Sequence, residues 1–212
     1  MNNHPIKLNA ISKQIIWGGN RLREEYNKQS DGENIALVMS ADIKGIQKAA
    51  ATSAAKLIEK NFGISQDAIM ISATHTHSAP SLGAGSSDTM TRWMAQFNKQ
   101  LIVCVREALK DLAPAEAYVG TSHTNGITFV RRYLLASGKY QTNPNLEQAD
   151  PPVAHESEAD NELRTIRFAR EGKKDVLMMN FQTHYGLYVE AYSADFVHYL
   201  RQYAEGEMDV HF

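Results

Sequence analysis

The chain has 212 residues and a single cysteine; 43% of its residues are hydrophobic, 22% are charged, and the formal net charge is −2. This is enough sequence for one domain with a real core, and the charge gives no reason to expect nucleic acid or an anionic membrane as partner. A lone Cys104 excludes an internal disulfide, and no apolar run reaches the ~18 residues of a transmembrane segment.

Residues 1–32 are poorly patterned. Met1-Asn2-Asn3-His4-Pro5 lacks the basic-then-apolar layout of a signal peptide, so the chain as given is expected in the cytoplasm, or outside the cell if the natural N-terminus is longer. Ile11 to Trp17 fits a strand or a short helix, Gly18-Gly19-Asn20 a turn, and Arg21 to Lys28 an exposed helix. After the Asp31-Gly32 turn signal, Ile35 to Ser40 is a continuous apolar run, as expected of a strand covered on both faces. Asp42 then precedes a helical stripe of Ile46, Ala50, Ala54, Leu57, Ile58 and Phe62, and serves better as an N-cap than as a ligand. Gly63 closes that helix.

Next comes Ile69-Met70-Ile71-Ser72-Ala73-Thr74-His75-Thr76-His77-Ser78-Ala79-Pro80, an apolar run that ends on His-x-His and opens into small residues. Strand, helix, strand is the order of a parallel crossover, which brings Asp42, His75 and His77 to one end of a sheet. If the strand continues through Thr74, alternation turns both histidines to one side. On spacing alone the pair fits a metal site and a polar loop equally.

A second helix follows Asp88-Thr89 and carries Trp93, Phe97, Leu101, Val105 and Leu109 at every fourth position, a core stripe that ends before Pro114. Ala117 to Ser122 and Ile127 to Leu135 read as strands around an Asn125-Gly126 turn. Residues 137–161 are polar and loop-like. Leu163 to Ala169 and Val176 to Phe181 form a hairpin, and the second arm leads into Gln182-Thr183-His184, a strand ending in Thr-His again. Ser193 or Asp195 caps a last helix near Phe196 to Tyr203, and Met208 to Phe212 starts a strand. Together these elements predict an α/β fold, a single domain with a mixed, mainly parallel central sheet flanked by helices.

No nucleophile elbow and no phosphate-binding glycine loop is present. Of eight histidines, His75, His77 and His184 share one context, the end of a strand. Neutral imidazoles there supply part of a zinc ligand set.

The stretch Ile71 to Pro80 resembles the signature of the neutral/alkaline non-lysosomal ceramidase family, with Ala79 where glycine is usual. Ala36 to Asp42, Val130-Arg131-Arg132-Tyr133, Phe181 to His184 and Ser193 to Phe196 resemble further family landmarks in the same order, so the resemblance covers roughly residues 33–212. It implies a zinc-dependent hydrolase that cleaves an N-acyl amide bond, of ceramide or a smaller N-acyl compound, with metal-activated water. It further implies His75 and His184 as Zn2+ ligands and His77 beside the metal facing the substrate or its oxyanion. Arg131, less so Arg132, would anchor the substrate.

The family's zinc site is completed by a Glu and a Tyr from a later part of a longer chain, and no such positions are recognisable here. Tyr185, Tyr188, Glu190 and Tyr192 read better as loop residues than as substitutes. The rival expectation is therefore a catalytically incomplete metal- or lipid-binding fragment that needs a C-terminal half or a partner. An unpaired strand edge at 208–212 would invite self-association.

Overall fold

The computed structural model describes residues 6–11, 16–18, 35–83, 87–184, 186 and 192–212. Of the expected Gly18-Gly19-Asn20 turn only Gly18 is described, and the expected helix at 21–28 and turn at Asp31-Gly32 lie outside the described residues. The strands are β1 (Ile6–Ile11), β2 (Ile16–Gly18), β3 (Ala36–Ala41), β4 (Gly45–Ile46), β5 (Ile69–Ala73), β6 (Ser81–Leu82), β7 (Ala113–His123), β8 (Arg132–Leu135), β9 (Tyr140–Thr142), β10 (Pro152–His155), β11 (Glu162–Arg170), β12 (Asp175–Phe181) and β13 (Val210–His211). The helices are α1 (Lys48–Phe62), α2 (Asp88–Lys110) and α3 (Phe196–Glu207).

Eight strands form one sheet in the order β13-β12-β11-β7-β1-β2-β3-β5. The fold is mixed α/β, as expected, but the sheet is not mainly parallel. Parallel pairing is found at its two ends, β3 with β5 and β12 with β13, while β1 pairs antiparallel with β2 and β7, and β2 with β3. The reason lies in the segment that reads as unpatterned: Ile6-Lys7-Leu8-Asn9-Ala10-Ile11 alternates apolar and polar residues, and β1 and β2 insert between β7 and β3.

Chain packing divides into two units, Met1–Val119 with Ile166–Met178 and His184–Phe212, and Gly120–Thr165 with Met179–Thr183. In the larger unit β3, α1 and β5 form the expected parallel crossover, with Leu37 opposite Ile69 and Ala41 opposite Ala73. Leu37 and Met39 pack with Ala54 and Ile58 of α1 and with Leu101, Val105 and Ala108 of α2. Cys104 is half-buried and packs against this cluster as a small hydrophobic residue. Ile58 and Val105 are almost fully buried, each worth about 1.5–3 kcal/mol by removal from water.

The opposite face of β3 and β5 is more open: Ser40 and Ser72 are exposed and Met70 is 56% exposed, while Ala36 and Val38 are half-buried. Helix α1 starts at Lys48 behind Gln47, so Asp42 is not its cap. Gly45 and Ile46 instead pair with Ser81 and Leu82 as β4 and β6, which delays the helix by a turn. Gly63 closes α1 in the left-handed conformation with φ 72°. Ser87 caps α2 and Asp195 caps α3, each accepting a hydrogen bond from a following N–H.

At the other end of α2 a charged corner ties the helix to the turn between β11 and β12. The Arg170 side chain is fully buried and reaches Asp111 Oδ2 at 2.8 Å and the Lys174 carbonyl at 2.6 Å. Lys173 also donates to Asp111, and Asp175 accepts from the Arg170 N–H and the Arg167 guanidinium. In the smaller unit the expected long loop contains two short strands, giving a three-stranded sheet β10-β8-β9. Tyr140 to Thr142 is exposed throughout, so it carries no apolar period by which it could be read.

Candidate metal centre

Strand β5 stops at Ala73, before either histidine. Strand alternation therefore does not align His75 with His77; a left-handed backbone at His75, φ 68°, redirects the chain instead. That conformation is uncommon outside glycine and persists only where the surroundings hold it. Here the His75 N–H donates to the Ile43 carbonyl at 3.1 Å, and ring Nδ1 donates to the Lys44 carbonyl at 2.6 Å. A carbonyl can only accept, so Nδ1 carries the hydrogen and the lone pair of the neutral ring lies on Nε2. A carbonyl acceptor of this kind orients imidazoles that bind metals.

Thr76, between the two histidines, is fully buried. Its hydroxyl donates to the Ser193 carbonyl at 2.7 Å, and the Ser193 N–H donates to the Ser78 carbonyl at 3.1 Å. The middle residue of the motif thus pins the segment before α3 to the histidine loop.

His184 joins from beyond β12, and the three rings form a near-equilateral triangle with centroids 4.9, 5.0 and 4.9 Å apart. The candidate ligand nitrogens lie within 4.8 Å of one another, and Nε2 of His77 is 3.3 Å from Nε2 of His75. Ligands at ~2.0–2.1 Å around a tetrahedral zinc stand about 3.3 Å apart. His75 is exposed and the other two are half-buried, so the cluster is open to solvent. A side chain at Gly186 would meet His184 Nδ1 at 3.0 Å, a tight approach that would require the ring to shift.

The arrangement can hold a metal ion. His75, His77 and His184 are brought together as a group. Arg131 and Arg132 belong to the smaller unit and are both exposed, Arg131 just before β8 and Arg132 at its first position, where it pairs with Glu156 at 3.2 Å. Tyr185, Tyr188 and Glu190 lie outside the described residues; Tyr192 is exposed and lies against the Trp93 ring. His155 donates from Nδ1 to the Val130 carbonyl and, like His123, belongs to the smaller unit. The Lys44 carbonyl, Thr76 and Gly186 had no sequence signal as supports, because a backbone acceptor, a buried hydroxyl and a steric gap carry no motif.

No protein-family model matches this sequence, and no curated protein matches it. Among solved structures, the neutral ceramidase from Pseudomonas aeruginosa is similar, with a TM-score of 0.58 and 16% identity over 82% of this chain. The fold is ceramidase-like. The match spans 28% of the length of that protein, and at 16% identity the likeness is one of fold. No described helix is long and apolar enough to cross a membrane.

Proposed function

We propose that this chain is a zinc-dependent hydrolase that cleaves an N-acyl amide bond, of a ceramide-like lipid or a smaller N-acyl compound. The observation that carries the proposal is the triangle of His75, His77 and His184, with one ring's outer nitrogen already committed to a carbonyl. The likeness to a ceramidase fold and the ceramidase-like sequence around the histidines support the choice of reaction.

In this proposal His75 and His184 are ligands and His77 faces the substrate, as the sequence resemblance implies; the 3.3 Å spacing of Nε2 on His77 from Nε2 on His75 also supports His77 as a third ligand. The three imidazoles would hold a zinc ion, and fewer than four protein ligands would leave a coordination position for water. A bound zinc ion supplies a nucleophile from water near neutral pH and polarises the acyl carbonyl. The Lys44 carbonyl keeps His75 in the tautomer that presents Nε2, and the open mouth of the cluster admits the amide. Hydrolysis adds hydroxyl to the acyl carbon and a proton to the departing nitrogen, giving a carboxylic acid and an amine. Arg131 is proposed as the cation that anchors the substrate's polar end.

The test is zinc titration of the metal-free protein, followed by assay of the loaded protein on N-acyl substrates of short and long chain. Stoichiometric zinc with release of free acid is expected. Zinc bound without hydrolysis of any of them would leave the metal-binding, catalytically incomplete reading, and no zinc binding would remove both.

A further inference from the structure

We infer that the ion pair between Asp42 and Arg201 is a positioning device for His75. The inference rests on the reading of the histidines as a metal centre. Two consecutive carbonyls of one short loop grip this histidine, Ile43 at its backbone N–H and Lys44 at its ring. Whatever fixes residues 42–44 therefore fixes both the left-handed backbone of His75 and the direction of its Nε2. The loop is anchored from three sides. Ile43 is 3% exposed; the Lys44 N–H donates to the Pro80 carbonyl at 3.0 Å; and Asp42 Oδ2 accepts from Arg201 Nη1 at 3.1 Å.

Arg201 stands in the middle of α3, 159 residues further along the chain. The segment leading into that helix is pinned through Ser193 to Thr76 and Ser78. Helix α3 and the segment leading into it thus hold the chain on both sides of His75, by Arg201 at the carbonyl loop and by Ser193 at the His-Thr-His loop. Both members of the ion pair are about a third exposed, Arg201 34% and Asp42 31%. Pairs so exposed add little to global stability. A positioning role and a merely stabilising one therefore make different predictions: the first is felt at the His75 ring, the second only in the melting temperature.

The experiment combines two measurements on Asp42→Asn, Arg201→Met, the conservative Arg201→Lys, and the charge-exchanged double variant Asp42→Arg with Arg201→Asp. Zinc affinity is titrated, and the imidazole nitrogen resonances of His75 are recorded in the metal-free protein, assigned by their loss in His75→Ala. Wild-type His75 is expected as the Nδ1–H tautomer. Asp42→Asn and Arg201→Met should mix the tautomers and weaken zinc about tenfold, the lower end of the cost of losing support behind a ligand, with melting shifted by only ~2 °C or less. Arg201→Lys and the exchanged pair should restore both readings in part.

Unchanged tautomer and unchanged affinity in folded Asp42→Asn would overturn the inference. So would a loss of affinity matched by a large loss of melting temperature. Should the wild type bind no zinc while the tautomer still responds to Asp42, the metal reading fails and the positioning role stands.

Discussion

Two polar clusters in the larger unit look alike in composition and differ in logic. At the corner of α2 and the β11–β12 turn, Arg167, Arg170 and Lys173 face Asp111 and Asp175, and each carboxylate meets at least one cation. At the end of β3 and β5, three imidazoles face one another. Opposite charges that satisfy each other make a structural tie. Three like groups, whose ring nitrogens converge, suit a cation supplied from outside. The difference teaches that charge balance within a cluster, more than its size, separates a strut from a site.

The largest effect expected is at the site. His184→Ala or His75→Ala should weaken zinc by about 3–4 kcal/mol, roughly a quarter of what four ligands provide in structural zinc sites, while the melting temperature of the metal-free protein changes little. His77→Ala should weaken zinc comparably; affinity unchanged in that variant would return His77 to a substrate-facing role. Calorimetric titration of the three variants reads all of this.

The corner should behave in the opposite way. Arg170→Met removes a fully buried guanidinium from Asp111, whose side chain is 28% exposed and keeps Lys173. A loss of about 3 kcal/mol is expected, the low end for breaking a buried pair, or about 6–12 °C in melting for a chain of this size. Zinc affinity should stay at the wild-type value. A corner variant that lost zinc, or a histidine variant that unfolded, would erase the distinction between the two clusters.

Much of this arrangement is legible in the sequence, because helix stripes and strand ends are local. The α1 and α2 stripes pack as their four-residue repeats predict, through Ala54, Ile58, Leu101 and Val105. The three histidines were recognisable by their shared strand-end context. What stayed hidden depends on distant partners or on single dihedral angles. The place of β1 and β2 in the sheet is decided by pairing with β7 and β3 far along the chain. The convergence of His75 and His77 comes from one left-handed residue, where alternation along a longer strand was expected. Asp42, beside a helix start, reads as a cap; its actual partner, Arg201, lies 159 positions away.

Thr76 belongs to both kinds of cluster, which makes it the variant that sharpens the contrast. Its buried hydroxyl is a structural tie placed inside the His-Thr-His motif, joining the Ser193 carbonyl to the histidine loop. Thr76→Val keeps the shape and removes the donor, leaving that carbonyl unpaired at a cost of about 1–2 kcal/mol. Melting should fall by roughly 2–8 °C and zinc affinity should fall with it, the two moving together as they do in neither cluster alone. Parallel thermal unfolding and zinc titration check this.

The smallest effect concerns acid and the smaller unit. The Ser137 hydroxyl and N–H hold the Asp150 carboxyl below its ordinary range, and the Glu162 N–H, with Arg164, does the same for Asp160. A carboxyl whose folded pKa is depressed binds its proton more readily in the unfolded chain. Its contribution is therefore present above the unfolded value of about 3.9 and disappears as pH falls through the lower folded value. Both groups are at the surface, so the contribution is modest. Amide exchange measured from pH 5 down to pH 2 should show protection around the Ser137–Asp150 turn weakening below about pH 4. Ser137→Ala should move that loss to higher pH by raising the folded pKa of Asp150 toward its unfolded value. An unchanged acid profile in Ser137→Ala would show that the hydroxyl does not hold this carboxylate.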